Sequence, residues 1–437
     1  MIYQLLIVEF ILILIMYILS NRCFISPAFI AIALFFLATC CVVYNIEFWN
    51  VQYSKKTLWF ITTGFLAMCI PEMYILFLDY LSKKRVDNYH QNQYKIEYVQ
   101  IYPSRQLNLI FALLSVVFFG VLLVEILRKG DYSTLGLYAI GAAKSDETQN
   151  SVIARFGISL ITGLNLAYLY VFINNVIRCK ERVLSNIKYL FPTLMYILCM
   201  FISGNRVFLV KLFAIVFLIY IVMKSDVSPR GRVPVMQVVR KTLFVAVAIL
   251  AVFYALRGIT KVNSTAATRE FSDYITYYIG SPVYMLDKYL QRYSPELNWG
   301  AKSLTSLVEM FGIEPEFKNA YIHVGGDSNF AGNEFSWFQR PYSDFGWLGM
   351  LVFTFIVFWI FSWNIHIRIN KEKNRRRRKY YILITAYFFY IPVMSFYYCQ
   401  MCFAFSITNI FSVVVACLLV REFTKRQDEI IFKIKEE

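Results

Sequence analysis

"YLFPTLMYILCMFISGNRVFLVKLFAIVFLIYIVM", residues 189–223, decides the fold class. Two runs apolar enough to lie in lipid flank a tight turn, and the turn holds Arg206. Neither run alternates polar with apolar residues, so neither reads as a barrel strand. Runs of this kind recur along the chain at about 18 to 22 residues, the length that crosses a hydrocarbon core as a helix. Composition agrees. Of 437 residues, 58% are hydrophobic, 18% aromatic and 16% charged, and the mean hydropathy is +0.53. A soluble domain cannot bury that much apolar surface. The sequence therefore predicts an all-α polytopic membrane protein of about 11 transmembrane helices with one large extracytoplasmic loop.

The spans are expected at about 2–20, 25–44, 57–78, 107–127, 152–177, 189–204, 207–223, 241–257, 345–364, 380–398 and 400–420. They divide the chain into a transmembrane bundle of about eight spans (1–257), a loop with interfacial helices (258–344), a second bundle of about three spans (345–421) and a cytoplasmic tail (422–437). The first run, "IYQLLIVEFILILIMYILS", has no basic leader and no A-x-A site, so it is expected to be a retained span.

The net charge of +16 sorts by side. "SKKR" (82–85), "RCKER" (178–182), "KSDVSPRGR" (224–232), "KEKNRRRRK" (371–379) and "REFTKRQ" (421–427) fall on one side if the spans alternate. By the positive-inside bias that side is the cytoplasm, which places both 258–344 and the N-terminus outside. The arginines at 375–378 then read as an anchor on anionic headgroups, and no nucleic-acid partner is implied. The nine cysteines form no disulfide framework, and "CQMC" (Cys399, Cys402) reads as packing. The segment 258–344 is rich in aromatics, which suits interfacial helices with Tyr and Trp at headgroup depth. No internal repeat is visible, so an inverted-repeat transporter gains no support.

Several cations resist the inward bias. Arg155, Arg206 and Lys211, Arg257 and the following Arg269 all fall near the outer surface by this topology. Bases there are costly in lipid and commonly face a cavity and an anion. Snorkelling, or pairing with Glu125, Glu270 or Asp273, is the bland alternative. Converging arginines suit a lipid-linked phosphate or diphosphate, because a guanidinium binds phosphate oxygens bidentately. Glu72 follows Pro71 in the third span, and either caps backbone freed by the proline or pairs with a base.

Nucleotide-binding, zinc-protease and serine-hydrolase motifs are absent, and the loop has no D-x-D, so neither a metal nor a cofactor is expected. Of three histidines, His90 and His366 fall on the cytoplasmic side and His323 outside. His323, in "YIHVGGDSNFAGNEF" with Asp327 and Glu334 nearby, reads as a structural residue or as a general base.

"SNFAGNEFSWFQRPYSDFGWLGML" (328–351) resembles the end of the large periplasmic loop of bacterial oligosaccharide repeat-unit polymerases, the Wzy-type O-antigen and capsule polymerases, where an aromatic Asp-Phe-Gly stretch enters the next span. Arg269 and Gly280 are similar in spacing to the R-x10-G pattern of such loops, found here once where two copies are described for some members. By motif the resemblance covers about 60 residues. It implies a GT-C-like fold in the bacterial inner membrane with its site facing the periplasm. A glycan on undecaprenyl diphosphate would be transferred onto a lipid-linked repeat unit, with the pathway's flippase and chain-length regulator as partners besides membrane lipids. The diphosphate is already a good leaving group, so such a site needs cations for it and a base for the acceptor hydroxyl. His323, Asp344 and Glu334 are the catalytic candidates, with His323 as the acceptor base and Asp344 as the residue that orients the loop and the fallback base. Arg155, Arg206, Arg257, Arg269 and Arg340 are the diphosphate candidates. Gly280, Asn329, Tyr342 and Gly346 are the substrate-loop positions. An O-antigen ligase or O-acetyltransferase on the same lipid, and a flippase or transporter, are the rival readings. A flippase should place its cations at mid-membrane and does not need so long an outer loop.

Overall fold

A computed structural model describes residues 1–86, 98–129, 151–203, 207–228, 233, 235–255, 270–313, 322–323, 331–332, 334–372 and 374–433. Among them nine helices are long and apolar enough to cross a membrane, and all nine fall where a span is expected. The principal helices are α1 (Ile2–Leu19), α2 (Pro27–Tyr44), α3 (Lys55–Val86), α4 (Arg105–Lys129), α5 (Val152–Ile173), α6 (Phe191–Ile202), α7 (Val207–Asp226), α8 (Val235–Ala255), α9 (Phe271–Arg292), α10 (Thr305–Met310), α11 (Gln339–Trp363), α12 (Arg375–Phe388) and α13 (Ile407–Lys433). The helix α8 stands at the eighth expected span. The strands β1 (Ile322–His323) and β2 (Ala331–Gly332) pair antiparallel, a short departure from an all-helical chain.

The sequential division into bundle, loop, bundle and tail is not how the helices group. One compact unit combines Met1–Gln93, Arg269–Lys373 and Phe388–Ser406, and the other combines Tyr94–Thr268, Asn374–Tyr387 and Ile407–Glu437. From Arg269 onward the expected loop therefore belongs with the first three helices. The helix α13 continues past its apolar span into the expected tail, as far as Lys433. The span expected at 380–398 is also corrected. Its helix stops at Phe388 after 14 residues, about 21 Å at 1.5 Å per residue and short of a roughly 30 Å core. The chain goes on as the short helices Tyr390–Val393 and Met401–Ala404. Broken backbone survives here because neighbours satisfy it. The Ser395 carbonyl accepts the Trp337 N–H at 2.7 Å, and the Cys402 carbonyl accepts the Ser306 hydroxyl at 2.7 Å.

In the first unit α1 packs on α2, α2 on α9, and α3 on α11. Lipid supplies no hydrophobic drive between helices, so tight packing and hydrogen bonds must hold them. Phe338 sits edge-on or tilted against Phe35, Phe60 and Phe65 at 5.6–6.2 Å. Glu72 caps and pairs at once: its carboxylate accepts the Ala28 N–H at 3.0 Å, at the start of α2, and meets His366 Nε2 at 2.6 Å. Both alternatives read for Glu72 thus concern one side chain, and its base is His366. In the second unit α5 packs on α13, α6, α4 and α7. Ser412 on α13 donates to the Ser159 carbonyl on α5 at 2.9 Å.

The helices α5 and α11 both end in π turns, Asn174–Arg178 and Asn364–Ile369. Such turns widen the helix and re-aim its last side chains, often at functional places. Asn175 uses the widening to pair with both backbone groups of Ile101, at 2.9 Å each.

The helix α9 is longer than the short helices expected in this segment. It is one helix of 22 residues, and Tyr274, Tyr277, Tyr284 and Tyr289 are buried in protein. Its buried stripe at 274, 277, 281, 284 and 287 has helical spacing and faces α2 and the segment after it. Gly280 permits the approach. A Cβ there would lie 2.9 Å from the Cys41 Cβ and 3.1 Å from the Val42 nitrogen. The 45–54 segment closes over the same helix: Trp49 stacks on Tyr284 at 6.4 Å, and Asp287 accepts the Ser54 N–H at 3.0 Å.

Candidate functional site

The site lies in the first unit, where α11 begins. Ser336 donates its N–H to the Pro282 carbonyl at 3.4 Å, which ties the 334–336 segment to α9. The chain then turns into α11 through "FQRPYSDFG" (338–346). Gly346 has φ 69° and ψ −171°, a kink inside α11 in a left-handed region that favours glycine. This bend explains why Asp-Phe-Gly stands at the mouth of the helix.

Asp344 is 1% exposed. Its Oδ1 accepts the Lys302 N–H at 3.1 Å, and its Oδ2 accepts the N–H groups of Lys302 at 3.1 Å and Ser303 at 2.6 Å. The neighbouring Ser343 carbonyl accepts from Glu296 and Leu297, both at 2.9 Å. Lys302 is buried, and its Nζ reaches Glu296 Oε1 at 2.7 Å and Ser343 Oγ at 3.1 Å. Arg340 donates to the Lys302 carbonyl at 2.6 Å and lies over the Tyr398 ring at 4.4 Å. The first turn of α11 therefore hooks the whole 296–305 turn. Partial burial works against the Glu296 carboxylate, but hydrogen bonds from Lys302 and Asn298 outweigh it and hold its pKa below the ordinary value.

Glu334 lies half-buried at the head of this segment, within electrostatic reach of Tyr397, as are Tyr274, Tyr277 and Tyr278. Tyr278 packs on Tyr274 at 4.7 Å and on Tyr277 at 5.6 Å. One acid, one stacked arginine and a group of tyrosines thus stand on the start of α11 and on the segments that bond to it or lead into it. The chemistry of these groups is that of a carboxylate that takes a proton, a guanidinium already bonded to the loop, and, at half-buried Tyr278, a ring face of the kind that takes apolar sugar faces.

Of the expected site residues, Asp344, Glu334, Arg340, Tyr342, Gly346 and Gly280 fall on these elements. Tyr342 is buried and meets Phe60 edge-on at 5.2 Å, so it packs the base of the site. Gly280 serves the α9–α2 contact. His323 stands in β1 opposite Ala331, beside α9, and its side chain lies outside the described residues. Arg206, Arg257, Arg269 and Asn329 lie outside them as well. Arg155 is exposed in the first turns of α5 in the second unit, and Glu125 accepts the Ser151 N–H and hydroxyl at 2.7 Å each.

Sequence reading missed Lys302 and Asp287. Both are charges in an aromatic segment, and their partners, Glu296 and Ser343 for Lys302 and the Ser54 N–H and Gln291 for Asp287, are ones that no spacing rule reveals. The helical stripe in 274–287 could have been found by counting threes and fours. No family model matches the chain, and neither a curated protein nor a solved structure does.

Proposed function

We propose that the protein is a glycosyltransferase that polymerises undecaprenyl-diphosphate-linked oligosaccharide repeat units into an O-antigen or capsular polysaccharide. On this reading it is a GT-C-like enzyme of the bacterial inner membrane with the site on the outer side. The observation that carries the reading is the hook at the mouth of α11. The stretch that resembles the polymerases, 328–351, includes Asp344 and Arg340, which tie the 296–305 turn to the start of α11, and Ser336, which bonds to the tyrosine-rich α9. A loop fixed in this way presents groups to a substrate at the membrane surface, which a passive outer loop does not need to do.

On this reading the roles divide by chemistry. Asp344 holds the loop, because both of its oxygens are committed to backbone N–H groups. Glu334, with His323, is left as the acceptor's base. The sequence assigns Arg206, Arg257, Arg269 and Arg340 to the diphosphate on this reading, and the stabilisation of developing leaving-group charge is where the rate enhancement would arise. Arg155 is the outlying member of that set. A ligase or O-acetyltransferase on the same lipid carrier has the same needs. A strain lacking the gene discriminates: a polymerase deletion loses the glycan ladder and keeps a product of one repeat, while a ligase deletion leaves lipid-linked polymer unattached. Retention of the full attached ladder contradicts both.

A further inference from the structure

The second unit holds a separate cluster of cations at the end where α5 and α7 finish and α12 starts. Arg178, on the π turn after α5, donates Nε to Asp226 Oδ2 at 3.0 Å. Arg378, at the start of α12, donates to both oxygens of the same carboxylate, at 3.0 and 2.7 Å. Arg178 also lies over the Tyr98 ring at 4.9 Å, and Arg375 reaches that ring at 5.6 Å. Lys379 is 6% exposed and donates to the Thr424 hydroxyl on α13. Arg178, Arg375, Arg378, Lys379, Tyr98 and Thr424 line a cavity of about 90 Å³.

A headgroup anchor explains an exposed run of arginines, and Arg375, Arg376 and Arg377 are exposed. It does not explain burial of Lys379 and Arg178 around a cavity. Burying a charge is costly unless it is paired and hydrogen-bonded. Here four cations meet around one void, and Asp226 is the carboxylate that bridges two of them. The same contacts hold the guanidinium forks in place, so little ordering is left for an anion to bring about. Apolar walls from Val99, Ile101 and Ile382 stand beside the charges. We infer that this cavity binds a phosphate group, with the arginines as its donors and the apolar wall taking the carbon skeleton of a phospholipid headgroup or standing idle beside a free phosphate. The site does not depend on the polymerase reading.

The test uses the purified full chain in nonionic detergent. Phosphatidylglycerol, phosphatidylcholine and inorganic phosphate are titrated, with bound lipid read by native mass spectrometry and free phosphate read by displacement of that lipid. Phosphatidylglycerol should bind and phosphatidylcholine should not. Arg375→Gln should weaken binding about tenfold, the scale of one charge-assisted hydrogen bond. Arg376→Gln, which removes the same charge beside the cavity but does not line it, should stay within about twofold of wild type. Displacement by phosphate assigns the site to the phosphate group from either source, and phosphatidylglycerol binding without displacement assigns it to the lipid headgroup. Equal binding of the two lipids, no binding of either phosphatidylglycerol or phosphate, or equal losses in the two variants would overturn the inference. The wild-type comparison of the two lipids decides it even where a variant fails to accumulate.

Discussion

Replacing Asp344 by asparagine keeps the shape of the side chain and removes its charge. One of its two acceptor oxygens becomes an NH₂ group facing backbone N–H donors of Lys302 and Ser303. Leaving such buried donors unpaired costs about 1–3 kcal/mol. Asp344→Asn should therefore lower the unfolding temperature and open the 296–305 turn to limited proteolysis; an unchanged cleavage pattern would remove the hook from the account. The Glu296–Lys302 pair gives a pH prediction. A carboxylate with a lowered folded pKa adds stability above its unfolded pKa and loses it as pH falls through the folded one. The difference in stability between wild type and Glu296→Gln should thus be present at neutral pH and vanish in acid below the ordinary carboxylate range. Because Glu296 is 42% exposed, the effect should stay below about 1 kcal/mol. At this scale the sequence showed which residue types stand at the mouth of α11, and the Asp-Phe-Gly turn pointed to Asp344. It could not show that Arg340 would spend a donor on the Lys302 carbonyl, because that contact depends on how a loop folds back.

Single helices were the most legible part of the chain. Continuous apolar runs of bilayer length have one physical solution, so nine spans fell where they were expected. The packing of α9 on α2 was not legible for a physical reason: its tyrosines suit an interface as well as a protein core, and periodicity does not name the partner helix. Gly280→Ala tests that contact. The new methyl would press on the Cys41 Cβ and on the backbone nitrogen of Val42. Overpacking of this kind costs about 1–3 kcal/mol, and thermal unfolding in detergent should show it, whereas Gly120→Ala, with open space around it, should be neutral or better. The Glu72–His366 pair joins α3 to the π turn after α11, and neither the turn nor the partner could be read from periodicity. Truncating His366 to alanine should cost about 3–5 kcal/mol, and the paired change Glu72→Leu with His366→Leu should cost less than the single truncation. Additive losses would show that the two side chains stabilise α3 independently.

For the whole molecule, the chain threads two units in alternation, which composition and hydropathy do not encode. Long-range pairing of helices is set by shape, and one sequence read alone carries little of it. Sidedness is open to a direct check. A cysteine placed at Trp299, 88% exposed between α9 and α10, should be labelled from outside in a cysteine-free background, while one at exposed Asn374 should be protected. The reverse pattern would turn the site inward and end the polymerase reading. The most direct measurement is polymerisation by the purified chain, supplied only with undecaprenyl-diphosphate-linked repeat units and followed as a ladder of glycan lengths. Wild type should produce the ladder. Arg206→Lys and Arg340→Lys, which keep charge and lose the planar fork, should lower turnover by about 10²–10³, the scale of losing one donor to developing charge. A wild-type enzyme that is well folded, binds the lipid-linked units and leaves them as single repeats would contradict the account.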